Sequence, residues 1–368
     1  MNIILKRVSI FAFLALFAFT YACDTENSET PEDPEENVED DDFVDDNTEP
    51  DVFEPIYDWP ELIYTVNTNY EVYVDPAPGD SAALLQAAID EVNSNGGGTV
   101  HLSGGTYYVS TSIIMKSNVT LLGDPDLYPE QIVITPGVMS FNSCIIASTA
   151  ALLNVNFYNF TVKGNLTDEE QTLGPEYHDD SLAYNDGNET RENMLGIYFE
   201  ATGESYDECQ SQNMHLKGVM ITKCSMGFQT KGTRDLLVED CYMFDNGLIE
   251  KYFHNIYLRR VFAATLQNIT TAYSSTGCGV NISQSDDVTV RSIHSHDNFW
   301  RGLRLYGESG HTFDTICIED NLLENNLDVG LLLANINSGN VDNNTATGNN
   351  PDYKFSGCSI TQSGNSWQ

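Results

Sequence analysis

"LGIYFE" (195–200), "MGFQTK" (226–231), "HNIYLR" (254–259), "CGVNIS" (278–283), "RGLRLY" (301–306) and "VGLLLA" (329–334) are versions of one short strand, and their recurrence decides the fold. Aligned on Gly196, Gly227, Asn255, Gly279, Gly302 and Gly330, they return after 31, 28, 24, 23 and 28 residues. Between them runs a second set, "VMITKC" (219–224), "LLVEDC" (236–241), "NITTAY" (268–273), "VTVRSI" (288–293) and "TICIED" (315–320). Members of both sets alternate apolar and polar residues and end near Asn, Asp, Ser or Gly, which allow tight turns. Strands too short to build a hairpin core, interleaved in strict order at about one coil's spacing, predict a solenoid whose coils pair in parallel. The expected fold class is all-β, a single-stranded parallel β-helix.

Upstream, "GDSAALLQAAIDEVNSNGGGTVHLSGGTYYVSTSIIMKSNVTLLGDP" (79–125) begins as a helix, with Leu85, Ala88, Ile89 and Val92 at helical spacing and Asp80 or Ser81 able to cap it. A solenoid needs its open end covered, and this helix can do that. The same segment closely resembles the N-terminal signature of the pectate-lyase superfamily: the Leu-Gln-Ala-Ala-Ile-Asp helix, the Gly96 to Gly98 run, "GTYYV" and "SNVTLLG". The resemblance covers roughly residues 70 to 125. It implies a right-handed parallel β-helix with an N-terminal capping helix, and a fold rather than one reaction.

The opening "MNIILKRVSIFAFLALFAFTYAC" sets Lys6 and Arg7 before an apolar run ending near the small Ala22, the organisation of a secretory signal peptide over residues 1–22. No later stretch of 18 or more apolar residues follows, so the mature chain is not expected to be integral to a membrane. "TYAC" resembles a bacterial lipobox, in which Cys23 would carry the lipid, although Thr20 and Tyr21 depart from the usual Leu and small residue. An ordinary signal peptide with a nearby cysteine is the alternative. Residues 23–58 read as an acidic disordered tether: from Asp24 to Asp58 there are 17 Asp or Glu, no Lys or Arg, and prolines at 31, 34, 50 and 55. The expectation is export to the cell envelope or surface, with lipid anchoring at Cys23 in the outer membrane as the only membrane contact. Residues 59–368 form the β-helix domain, expected to be monomeric.

That body carries a formal charge near −24, which opposes nonspecific binding to nucleic acid. None of the eight cysteines forms a CxxC pair, so buried, stacked thiols are expected rather than a zinc site.

In each strand of the first set two apolar residues should point inward, such as Ile256 and Leu258 or Leu303 and Leu305. Stacking then gathers their outward partners into two columns, about 4.8 Å apart per coil. One holds Tyr198, Gln229, Tyr257, Asn281, Arg304 and Leu332; the other holds Glu200, Lys231, Arg259, Ser283, Tyr306 and Ala334. Aromatic faces, amides and guanidinium forks suit a sugar chain. A merely polar solvent-facing sheet would also look this way. Nine of the body's 14 basic residues, Lys223 to Arg304, fall within 82 positions, which points to an anionic ligand on an acidic protein.

The densest segment is "EKYFHNIYLRR" (250–260), with His254, Tyr257 and Arg259, and with Arg301 and Arg304 expected in the coils above. On a uronate-containing polysaccharide these residues suit β-elimination. His254 or Tyr257 could serve as base or acid, while Arg259, Arg304 and Lys231 neutralise the carboxylate. Tyr198, Gln229, Asn281, Arg301 and Tyr306 complete the expected substrate-binding set. The segment is similar to β-helix polysaccharide lyases and alginate epimerases; "FHNIY" is loosely like the epimerase Asp-Pro-His segment. A C5-epimerase would share the opening step. A glycoside hydrolase needs two carboxyl groups, and the outward columns offer only Glu200, with Asp286 and Asp287 or Asp240 and Asp245 in turns; the Gly-His-Gly and Arg-Ile-Lys pieces of polygalacturonases are absent. A non-catalytic polysaccharide-binding protein is the remaining alternative. The acidic insertion at 164–193, with Asp168, Glu169, Glu170, Asp179, Asp180, Asp186, Glu189 and Glu192, could hold calcium or simply be solvated.

Overall fold

The computed structural model describes residues 57–172, 191–248 and 252–368, apart from 149 and 309. The signal peptide, Cys23 and nearly all of the acidic tether therefore lie outside the described residues.

All strands join one hydrogen-bonded, parallel network in which each coil pairs with the next. Leu195–Glu200, Met226–Phe244, Ile256–Ala272, Val280–Ser283, Leu303–Tyr306 and Leu331–Ile336 succeed one another in register along the first face. This is a parallel β-helix. Two of its strands are longer than the sequence suggests. Met226–Phe244 and Ile256–Ala272 each run through three faces, because single residues with positive φ bend the strand without ending it. Asp235, Asp240 and Asn268 take φ of 55°, 52° and 52°, the left-handed region that Asp and Asn tolerate. The second set of sequence strands thus supplies the second and third faces of the same coils.

The inward residues are those the alternation selects. Ile197, Phe199, Ile256, Leu258, Val280, Ile282, Leu303 and Leu305 are all buried in one continuous apolar core. The helix Ala82–Ser94 buries Ala82, Leu85, Ala88, Ile89 and Val92 on the same core. Its first turn is held by Asp80, whose carboxylate accepts from the Ala82 backbone N–H at 3.0 Å; Ser81 turns away and accepts from Ala77.

A row of buried amides runs beside that core. Asn246 donates to Asn255, Asn255 to Asn298, Asn298 to Asn326, Asn326 to Asn349, and Asn349 to the Asp352 carboxylate, at 2.8–3.1 Å. The row explains the aligned glycines: a Cβ at Gly302 or Gly330 would lie 2.8 Å from the amide nitrogen of Asn326 or Asn349. In the coil of "HNIYLR" the aligned residue is Asn255 itself, which bridges Asn246 to Asn298 past a coil that carries Ser274 instead.

The second and third faces are crossed by residues 57–64. Tyr57 and Trp59 pack on Tyr242, and Tyr64 lies over Tyr158 at 5.3 Å. Trp59 also donates to Glu130 at 2.9 Å. The packed chain therefore starts at least two residues before the boundary the charge pattern suggests.

Candidate functional site

The outward columns form as the alternation requires. Tyr198, Gln229, Tyr257, Asn281, Arg304 and Leu332 are Cα partners in successive coils. So are Glu200, Lys231, Arg259, Ser283, Tyr306 and Ala334. The face is not uniformly open, however. Asn281 and Ser283 are buried, and Leu332 and Ala334 form a small apolar patch with Val329, against which Tyr306 packs.

What covers Asn281 comes from the turns. His254, in the turn before its strand, is 1% exposed. Its ring packs edge-on to Tyr257 at 5.5 Å and is stacked with Trp300 at 6.4 Å. Arg301 lies over Trp300 at 3.7 Å and bonds Asp328 through Nε at 2.9 Å. Arg304 stacks on Tyr306 at 4.3 Å, reaches Trp300 at 5.8 Å, and donates from Nη1 to Asn281 Oδ1 at 2.8 Å. Its Nε is buried and, among the described residues, has no hydrogen-bond partner. Burial lowers the Arg304 pKa from its ordinary value.

His254 does not suit the proton-transfer role that the sequence offers it. Nδ1 accepts from the Cys278 backbone N–H at 2.9 Å, and Nε2 lies against Asn281 Nδ2 at 2.8 Å, so neither ring nitrogen is open to a substrate. Burial, then the charges of Arg304 and Arg301, push its pKa down to about 3, and the ring is neutral at neutral pH. Gly277 makes room for this ring: a Cβ there would stand 2.5 Å from Nδ1.

Tyr257 is half-buried, with its hydroxyl 3.3 Å from Ser283 Oγ. Toward the N-terminal coils, Tyr198 donates to Glu200 at 2.5 Å and Lys231 bonds the same carboxylate. These two bonds, Lys231 first, hold the Glu200 pKa below the usual range, so Glu200 anchors cations rather than offering a proton. Arg259 donates to Gln284 at 2.9 Å and faces Glu308 at 3.9 Å. Gln229 sits half-buried between Tyr198 and Tyr257.

The sequence reading brings Tyr257, Asn281, Arg301, Arg304 and Tyr306 together correctly as neighbours. It misses Trp300, Gln284, Glu308 and Asp328, all turn residues. The signal for Trp300 was present: it is one of three tryptophans and directly precedes Arg301.

The acidic insertion is divided. Asp179, Asp180, Asp186 and Glu189 lie outside the described residues. Of the rest, Asp168 pairs with Lys223 at 2.6 Å and Glu170 pairs with Arg191. Among the described residues no cluster of three or more His, Cys, Asp or Glu could hold a metal ion. The described cysteines are free thiols, with Cys209, Cys224, Cys241 and Cys278 buried.

This geometry is that of a pectate-lyase-like β-helix with a polar, aromatic outer face. Residues 70–304 match the family described as rhamnogalacturonase A/epimerase, pectate lyase-like, and the chain belongs to that family. No curated protein matches the chain in sequence. Among solved structures it is similar to the DFA-IIIase of Arthrobacter chlorophenolicus A6 in complex with GF2, at 13% identity and a TM-score of 0.53, over 74% of this chain and 69% of that one. It is also similar to the A-module of the mannuronan C-5 epimerase AlgE6 of Azotobacter vinelandii, at 17% identity and a TM-score of 0.42, over 79% of this chain and 96% of that one. At 13% identity the likeness to the DFA-IIIase is one of fold alone.

Proposed function

We propose that the chain is an exported carbohydrate-active enzyme that lays an acidic polysaccharide along its first face and cleaves it by β-elimination. One observation carries this reading: Arg304, with an unpartnered Nε, stands in register two coils from the half-buried hydroxyl of Tyr257, about 10 Å along the face. A uronate carboxylate answers the guanidinium. Lys231 and Arg259 add positive charge around the same stretch, and the aromatic rings of Tyr198 and Tyr306 offer apolar faces to sugar rings.

In the reaction, the proton on the carbon α to the carboxylate passes by way of Tyr257 to the departing glycosidic oxygen. The electron pair of that C–H bond moves into an enolate stabilised by the neighbouring cations, then expels the β-glycosidic oxygen, which takes up a proton. The products are an unsaturated uronate end and a free hydroxyl. His254, neutral and enclosed, holds its neighbours instead of moving protons.

Incubation with alginate, pectate and glycosaminoglycans tests the reading. New unsaturated ends support it. Reducing ends without unsaturation make the protein a hydrolase, inverted residues in an intact chain make it a C5-epimerase, and an unaltered polymer that is still bound makes it a binding protein. Cys23 would tether the enzyme to the cell surface; absence of fatty-acid label at Cys23 in cells would remove the anchor.

A further inference from the structure

The hydrogen-bond count around Arg304 does not close. Because Nδ1 of His254 accepts from the Cys278 N–H, the one proton of the neutral ring is on Nε2. Nε2 nevertheless faces Nδ2 of Asn281, a donor, at 2.8 Å. Turning the amide over would let Oδ1 accept from His254, but Nδ2 would then meet Arg304 Nη1, which donates to Oδ1 at 2.8 Å. Protonating His254 adds a donor and deepens the conflict. In either orientation one donor is left facing another, and Arg304 Nε is unpartnered besides.

The carboxylates of this stretch are engaged with other groups: Asp328 accepts from Arg301 and Glu308 from Gln284 at 2.6 Å. Buried donors without acceptors are destabilising, the more so when charged, so an arrangement that leaves two in one cluster is suited to an acceptor brought from outside.

We infer that His254 and Asn281 are a positioning pair that withholds a full set of acceptors from Arg304, so that its guanidinium is released to the carboxylate of an acidic sugar residue. When Oδ1 of Asn281 turns to His254, Arg304 loses its only side-chain acceptor among the described residues and swings toward the open side of the face, where a carboxylate takes its free N–H groups. The conflict is thereby removed at the moment of binding. This deepens the proposed function and rests on its acidic-substrate reading.

Two substitutions at one position separate this from a structural role. In Asn281→Asp, both oxygens accept, from His254 Nε2 and from Arg304, so the guanidinium is pinned and neutralised. Melting should then rise by about 2 °C while affinity for sodium galacturonate, measured by calorimetry, falls roughly tenfold. In Asn281→Leu, Arg304 loses its bond to Oδ1 without meeting a new charge; melting falls, and galacturonate affinity falls by less than in Asn281→Asp. Wild type should prefer galacturonate to galactose, with the preference shrinking as salt is added. Wild-type protein with no such preference overturns the inference together with the functional reading. A wild-type preference that Asn281→Asp leaves intact overturns the inference alone, as does a loss of both stability and affinity in both variants.

Discussion

The first and second faces are built by the same coils, yet they treat charge in opposite ways. On the second face Lys217 bonds Glu239 at 3.1 Å and Asp240 at 3.2 Å, His215 bonds Glu239 at 3.0 Å, and Tyr158 bonds His215 at 2.9 Å. Gln267 donates to Glu239 at 2.5 Å and accepts from Arg291 at 2.9 Å, and Tyr64 lies over the row. Each of these charges is answered by the next coil. On the first face Arg304 is half-satisfied, and its neighbour Asn281 is in dispute between two donors. A completed network stabilises a fold; an incomplete one waits for a ligand.

That contrast is sharpest in turnover. Tyr257→Phe removes one hydroxyl from the first face and should lower turnover on acidic polymer about 10²- to 10⁴-fold, with circular dichroism and melting unchanged. Near-normal rates would take Tyr257 out of the chemistry. Glu239→Ala, on the second face, should do the reverse. It strands Lys217 and His215 and should cost about 3 kcal/mol in denaturant unfolding while leaving turnover within twofold of roughly normal. If activity fell instead, the two faces would not be separable in function.

Acid should erode stability through both faces. His215 and His254 have folded pKa values below the ordinary one, His254 near 3, so the unfolded chain takes up protons first as pH falls. Stability is complete above about pH 6.5 and declines below it, by about 1.4 kcal/mol per pH unit for each such proton. Melting curves from pH 7.5 to 4 should be flatter in His254→Asn than in wild type; parallel curves would contradict the buried neutral ring. The smallest effect belongs to the crossing segment: Trp59→Ala should lower melting by about 1–3 °C with no change in turnover, and a changed rate would tie residues 57–64 to the site.

Much of this was legible in the residues. Period-two alternation and the aligned glycines specify which side chains point outward and which coils are neighbours, so both columns follow from counting. The pairing of Asn281 with Arg304 is such a case. Turn conformations do not follow from periodicity, and the features that decide the chemistry sit there. Trp300 folds over His254, and Cys278 turns its N–H toward the ring, enclosing a histidine that the bare sequence leaves free to move protons. The continuous strands 226–244 and 256–272 read as separate segments in the sequence because corner residues such as Asp235, Asp240 and Asn268 look like strand ends, while Arg260 and Ala263 give no sign of the bends they make.

The row of asparagine amides from Asn246 to Asp352 has a direction: every member gives its proton to the next, and the last gives to a carboxylate. Reversing one amide would set nitrogen against nitrogen on one side and oxygen against oxygen on the other, so the members can reverse only together. The solenoid thus carries an internal arrow parallel to its axis, and a coil inserted or slipped out of order would have to match that arrow before its apolar residues could join the core.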